Sequence, residues 1–220
     1  MIKCFIFDLD GTLLNTLDTI RFYLNKMLKN NSLSEISLED CRAFVGDGAR
    51  NLVERALRAN GVDDGERVEK LTAEYVGGYN ADPYFLTELY DGVREIINEL
   101  SERGFILAVL SNKPDSSVKP IIEKFLPGVF RAVRGARAGE ALKPQPDTTY
   151  ALIDELGLAP EECAFVGDTG IDILTAKNAS LALSVGVAWG FRDAEHLADA
   201  GADIVVSKAT DFLAEVLPRA

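Results

Sequence analysis

The chain is short of the residues that build thiolate and imidazole chemistry. Among 220 residues there are three cysteines, one histidine and one tryptophan. Cys4, Cys41 and Cys163 are odd in number and widely spread. That pattern excludes a disulfide framework and a cysteine-built zinc site, and fits reduced thiols. Cys4 and Cys163 lie in apolar runs and are read as small core residues, while His196, in a C-terminal helix pattern, is read as a surface residue. No run is long and apolar enough for a membrane span, and the N-terminal run reads as a strand instead of a secretory leader, so a cytoplasmic protein is expected. Basic residues are also in short supply, 23 against 35 acidic, for a formal charge of −12. Such a surface repels nucleic acid and anionic membranes, and neither is expected as a partner. Any site for an anionic ligand must therefore carry its own local positive charge.

What the sequence does have is alternation. Cys4 to Phe7, Phe105 to Leu110, Val129 to Val133, Cys163 to Val166, Leu181 to Val185 and Asp203 to Val206 are short apolar runs that predict buried strands. Between the later runs lie apolar residues at helical spacing: Val93, Ile96, Ile97, Leu100; Val118, Ile121, Ile122, Phe125; Tyr150, Leu152, Ile153, Leu156. Gly104 and Gly157 fall just past two of these helices, where a C-terminal cap belongs, and Pro120 predicts a late start or a kink in another. The pattern predicts an α/β fold, a doubly wound parallel sheet with helices on both faces. The first crossover is too long. From Asn15 to about Tyr84 the signals are helical only, with Leu17, Ile20, Leu24, Met27 and Leu28 on one face, and Ser37 with Asp40 opening a short helix. Residues 16–84 are expected to be an inserted helical cap domain, residues 1–15 and 85–220 the α/β core, and Asn80 to Pro83 the return hinge.

In open α/β sheets, ligands bind beyond the carboxyl ends of the strands. The residues following the apolar runs are Asp8-Leu9-Asp10-Gly11-Thr12, Ser111-Asn112-Lys113, and Gly167-Asp168-Thr169-Gly170-Ile171-Asp172, with Lys143 in the Pro-rich loop after the third run. Four segments thus deliver polar groups to one sheet edge. A Mg²⁺ ion takes one or two carboxylates together with a substrate phosphate. Asp8 and Asp168 can supply them, with Asp10 and Asp172 completing the acidic set. Asp8 is then placed to be a nucleophile and Asp10 to move protons at the leaving oxygen. Thr12, Ser111 and Asn112 can donate to phosphate oxygens, and Lys143 supplies the fixed charge that the acidic surface lacks.

Asp8-x-Asp10-Gly11-Thr12, Ser111-Asn112, Lys143-Pro144 and Gly167-Asp168-x-x-x-Asp172 together resemble the four motifs of the haloacid dehalogenase-like hydrolase superfamily. The helical insertion after the first motif resembles that superfamily's first cap type. Val45-Gly46-x-Gly48, Leu89-Tyr90-Asp91-Gly92-Val93 and Val187-x-Trp189-Gly190-Phe191 are similar to the phosphoglycolate phosphatase subgroup. The resemblance implies a Mg²⁺-dependent phosphatase passing through an aspartyl-phosphate, with a small phosphorylated metabolite as substrate, 2-phosphoglycolate first. Pyrophosphatase, sugar-phosphate phosphatase and β-phosphoglucomutase-like phosphomutase are the alternatives, and an inactive phosphate-binding regulator is the last of them. A monomer or homodimer is expected. Asn15 stands where an acidic residue is more usual, Ser180 where Gly is common, and Gln145-Pro146-Asp147 is one variant among several.

Gly46-Asp47-Gly48-Ala49-Arg50 lacks a preceding strand and a third Gly, which excludes a dinucleotide loop. It is expected to lower onto the substrate, Gly46 and Gly48 permitting close approach and Arg50 either reaching a distal anionic group or lying exposed on its helix. Arg55 is expected to be solvated, and Trp189 to pack at the sheet edge.

Overall fold

In the computed structural model, which describes residues 1–220, the first apolar run forms β1 (Cys4–Phe7), buried along its whole length. Its side chains alternate between two cores: Phe5 and Phe7 enter a cluster with Val93, Ile97 and Phe212, whereas Cys4 and Ile6 enter one with Leu152, Ile153 and Phe165. A strand buried on both faces requires helices over both. The chain continues through β2 (Leu14–Asn15), α1 (Leu17–Asn30), α2 (Leu38–Phe44), α3 (Ala49–Ala59), α4 (Gly65–Ala81) and β3 (Glu88–Leu89). Strands and helices then alternate as α5 (Val93–Glu102), β4 (Ile106–Pro114), α6 (Asp115–Phe125), β5 (Ala132–Ala136), α7 (Asp147–Leu156), β6 (Cys163–Gly167), α8 (Gly170–Asn178), β7 (Leu183–Val187), α9 (Ala194–Asp199), β8 (Ile204–Val206) and α10 (Phe212–Val216).

Six of these strands form one parallel sheet in the order β5-β4-β1-β6-β7-β8. The chain winds outward from β1 through β4 to β5, then returns to β6 on the other side of β1. The strand order therefore reverses around β1, where the doubly wound fold opens a crevice at its carboxyl edge.

The third strand lies three residues later than its apolar run predicts, at Ala132–Ala136 instead of Val129 to Val133. It is an edge strand paired only with β4 and is only partly buried, so hydrophobicity marks its approach and not its body. β4 runs past Leu110 to Pro114, with a register shift before Pro114 pairs with Ala136. Ser111, Asn112 and Lys113 thus lie on the irregular end of a strand.

α1 buries the predicted face of Leu17, Ile20, Leu24, Met27 and Leu28. Ser37 caps α2, its Oγ accepting from the Asp40 amide at 3.0 Å. The segment expected to be the return hinge begins inside a helix. α4 continues to Ala81, and Asn80 is bonded to Ser116 (3.0 Å) and Ser117 (2.6 Å) of α6. The two ends of the helical segment meet instead in the β2–β3 pair, Leu14 opposite Leu89. α6 runs through Pro120. Gly104 and Gly157 follow α5 and α7 at φ +86° and +70°, the left-handed caps expected of them. No helix is long and apolar enough to cross a membrane.

Candidate active site

β1 ends at Phe7, and the next residue, Asp8, stands at the centre of the crevice. β6 ends at Gly167 and delivers Asp168 beside it, and the first turn of α8 adds Asp172. One ligand atom from each of Asp8, Asp168 and Asp172 lies within 4.8 Å of the others. The backbone is shaped to permit this. A Cβ on Gly11, at φ +85°, would fall 2.1 Å from Asp168 Oδ2, and one on Gly167 would fall 2.2 Å from Asp172 Cβ. Neither position tolerates a side chain without displacing a carboxylate.

Lys143 enters from the β5–α7 loop, where Asn112 holds it by exchanging two hydrogen bonds with its backbone. The Lys143 amide donates to Asn112 Oδ1 at 2.8 Å, and Asn112 Nδ2 donates to the Lys143 carbonyl at 3.0 Å. Lys143 Nζ donates to Asp172 Oδ1 at 2.7 Å and lies 3.0 Å from Asp8 Oδ1. The second contact is an ion pair without hydrogen-bond alignment, so Asp8 Oδ1 is a buried acceptor that receives no hydrogen bond. Asp172 Oδ2 accepts from the amide (3.0 Å) and hydroxyl (2.7 Å) of Thr169. Asp168 accepts from Thr12 Oγ1 at 3.1 Å and from the Phe191 amide at 2.7 Å.

The electrostatics show what the site lacks. Burial, reinforced by Asp172 and Asp10 and opposed by Lys143, pushes the Asp8 carboxyl up to about 6. Burial and then Asp172 and Asp8 raise Asp168 well above the usual carboxylate range. Burial works against the Lys143 ammonium, but Asp172 and Asp8 overcome it and hold the group above the ordinary lysine value. Four carboxylates, those of Asp8, Asp10, Asp168 and Asp172, face only the ammonium groups of Lys143 and Lys113. With all four ionised, two negative charges would be uncompensated in a buried place, a costly arrangement unless a cation joins it. The donors are all oxygen, the preference of a hard divalent ion. Asp8, Asp168 and Asp172 are the residues that could hold it.

Asp10 is separate from that trio. Its carboxylate accepts from Thr16 Oγ1 at 2.6 Å and is straddled by Lys113 Nζ at 2.9 and 3.1 Å. Asp10, expected in the acidic set, has its carboxylate outside the trio, where its oxygens accept from Thr16 and Lys113. Thr12, expected to donate its hydroxyl to phosphate, donates it to Asp168 and is itself buried. Arg50, expected either to reach a distal anion or to lie exposed, points outward from α3 to Glu54 (2.9 Å) and Glu69 (2.7 Å), half exposed. Its place one turn before Glu54 draws it along the helix surface, away from the crevice. Arg55, expected in solvent, instead pairs with Asp47 and donates to the Phe44 carbonyl at 2.6 Å. Trp189 packs near Phe212 and donates to the Thr12 carbonyl at 3.0 Å.

A cavity of about 600 Å³, counted to its mouth, opens above these groups. Asp8, Asp10, Ser111, Asn112 and Lys113 form its floor; Gly46, Gly48, Leu52, Tyr75 and Tyr79 form the roof, contributed by the helical segment. Lys113 is the one cationic residue lining it. Its ammonium lies 4.1 Å from the centroid of the Tyr79 ring, a cation–π contact. Burial opposes its charge, but Asp10 and then Tyr79 prevail and raise it above the ordinary lysine value. Lys113 was visible in sequence as the neighbour of Asn112, yet nothing there separates it from a solvated loop lysine.

Residues 5–185 match the family model described as haloacid dehalogenase-like hydrolase. The chain is 33% identical over 213 residues to the phosphoglycolate phosphatase of Mannheimia succiniciproducens, covering 94% of this chain and 95% of that one. It is 31% identical to phosphoglycolate phosphatase 1 of Pseudomonas aeruginosa, covering 94% of this chain and 77% of the relative. It superposes at TM-score 0.89 on a structure described as a predicted phosphoglycolate phosphatase from Haemophilus somnus, 29% identical, with 97% of each chain covered. With the motifs at the sheet edge, the fold and these likenesses in agreement, the chain belongs to the haloacid dehalogenase-like hydrolase family.

Proposed function

We propose that the chain is a Mg²⁺-dependent phosphatase that hydrolyses a small phosphorylated metabolite, 2-phosphoglycolate first, through a phosphoryl group carried on Asp8. The observation that carries the reading is the buried carboxylate trio Asp8, Asp168 and Asp172 with Lys143 against it, at the carboxyl edge of the sheet. Bound Mg²⁺, held by Asp8 and Asp168 with Asp172 close by, would offset the repulsion between Asp8 and a phosphate dianion. Lys143, Ser111 and the amides of the Asp8–Thr12 turn then take up charge on the phosphoryl oxygens. An Asp8 oxygen forms the new bond to phosphorus as the ester oxygen leaves with a proton from Asp10. Water next attacks the same phosphorus, gives its proton back to Asp10, and frees Asp8 and inorganic phosphate.

Residues 16–84 are read as a cap whose Gly46, Gly48, Leu52, Tyr75 and Tyr79 roof the place of the leaving group. Lys113, though paired with Asp10, is the one cation lining the cavity and the one that would meet a second anionic group on the substrate. The relatives named phosphoglycolate phosphatase support a carboxylate as that group.

The test is phosphate release from 2-phosphoglycolate, pyrophosphate, sugar phosphates and nucleoside monophosphates, each with Mg²⁺ and with EDTA. Metal-dependent release with 2-phosphoglycolate far ahead is expected. Another ester in the lead would replace the substrate, and release undiminished by EDTA would overturn the metal-assisted reaction.

A further inference from the structure

The roof of the cavity is fastened to the floor by a residue that belongs to neither. Arg192 follows β7 in the Trp189–Arg192 loop, and its guanidinium reaches across to the end of α2. Nη1 donates to the Arg42 carbonyl at 2.8 Å and to Phe191 at 3.3 Å; Nη2 donates to Val45 at 3.3 Å and Ala43 at 3.5 Å. The last carbonyls of a helix have no partner within it. Here Arg192 serves those of Arg42 and Ala43, and Arg55 serves that of Phe44. A cation at this end also complements the helix dipole.

The loop so held is the one that closes the cavity: Val45, Gly46 and Gly48 line it. The loop that holds it is tied to the reacting groups. The Phe191 amide donates to Asp168 at 2.7 Å, and Trp189 Nε1 to the Thr12 carbonyl at 3.0 Å. Residues 189–192 therefore hold Asp168 through the Phe191 amide, the Thr12 carbonyl through the Trp189 side chain, and the roof through the Arg192 side chain. Asn112 supplies the second tie, Nδ2 to the Gly46 carbonyl at 3.2 Å.

We propose that Arg192 is a positioning residue: it latches the 42–48 segment over the cavity and so sets how tightly substrate is held. The inference rests on the phosphatase reading for its kinetic consequence only. The acceptors are neutral carbonyls and the contacts are partly exposed to solvent, so each is modest in net strength and the latch can open. A carboxylate partner in a dry site would have fixed the roof shut. The planar fork reaches these carbonyls from two nitrogens, whereas a lysine ammonium has all its donors on one and serves them less well.

The experiment uses the full chain with Mg²⁺ and the variants Arg192→Ala and Arg192→Lys. Hydrogen exchange of the 42–48 amides is read without substrate, and steady-state kinetics are read with 2-phosphoglycolate. Arg192→Ala is expected to speed exchange at 42–48 roughly tenfold and to raise KM by a similar factor. Its kcat stays within about threefold and exchange in β1 and β6 is unaltered; Arg192→Lys falls between. Unchanged exchange at 42–48 in Arg192→Ala overturns the latch whatever the kinetics. Faster exchange with an unchanged KM reduces Arg192 to a structural tie and overturns the positioning role. If the wild-type chain releases no phosphate, the phosphatase reading falls, and the exchange measurement alone upholds or overturns the latch.

Discussion

Lys113 shows how much depends on a single buried charge. Its ammonium balances Asp10 and rests on Tyr79, with the pair only 7% and 12% exposed. Removing one partner of a buried pair strands the other at about 3–5 kcal/mol. Lys113→Ala is expected to lower kcat/KM at least about 100-fold, read by steady-state kinetics on 2-phosphoglycolate; a loss below threefold would remove Lys113 from the proposed site. Lys113 also marks a limit of reading side chains from sequence. That Asp8 and Asp168 meet was legible, because polar groups directly after buried strands have only the sheet edge to occupy; Asp172 and Lys143 come from the helix turn and the loop that follow such edges. The partners that Arg50, Thr12 and Arg55 take here (Glu69, Asp168 and Asp47) were not legible, because they are chosen by tertiary contact and helix direction.

Among the elements, doubly buried strands announced themselves and the edge did not. β1 and β6 lie where their apolar runs predict, since both faces of each must be apolar. β5 does not, because an edge strand is under no such demand. The turn after α8 illustrates a different point. Ser180 stands where Gly is common, and it is held at φ +53° with an exposed side chain. An L-residue there carries left-handed strain that Gly escapes, less the extra entropy Gly loses on folding. Ser180→Gly is expected to stabilise the chain by about 0.5–1 kcal/mol in urea unfolding. A lower unfolding midpoint would show that the serine is not strained.

For the whole molecule, the surface and the site pose the same problem, excess negative charge. The chain carries −12 overall and concentrates buried carboxylates where a phosphate is proposed to bind. In the metal-free protein Asp8, at about 6, keeps a proton that an ordinary carboxyl releases near 4. The folded state thus binds more protons than the unfolded chain in that window, so stability falls as pH rises through it, and Asp168 shifts in the same direction. Unfolding with EDTA is expected to show a lower midpoint at pH 7.5 than at pH 5. Mg²⁺ should raise the midpoint chiefly at pH 7.5, where the carboxylates are ionised. Equal midpoints at the two pH values, or no response to Mg²⁺ at pH 7.5, would contradict the charge account of the trio.

The central claim is that Asp8 carries the phosphoryl group. The direct measurement is acid quenching, milliseconds after mixing the Mg²⁺-loaded chain with phosphorus-labelled 2-phosphoglycolate, followed by peptide mapping. The account predicts a hydroxylamine-labile label on the peptide containing Asp8, absent from Asp8→Asn. Product formation with no protein-bound label, or a label that persists in Asp8→Asn, would contradict it.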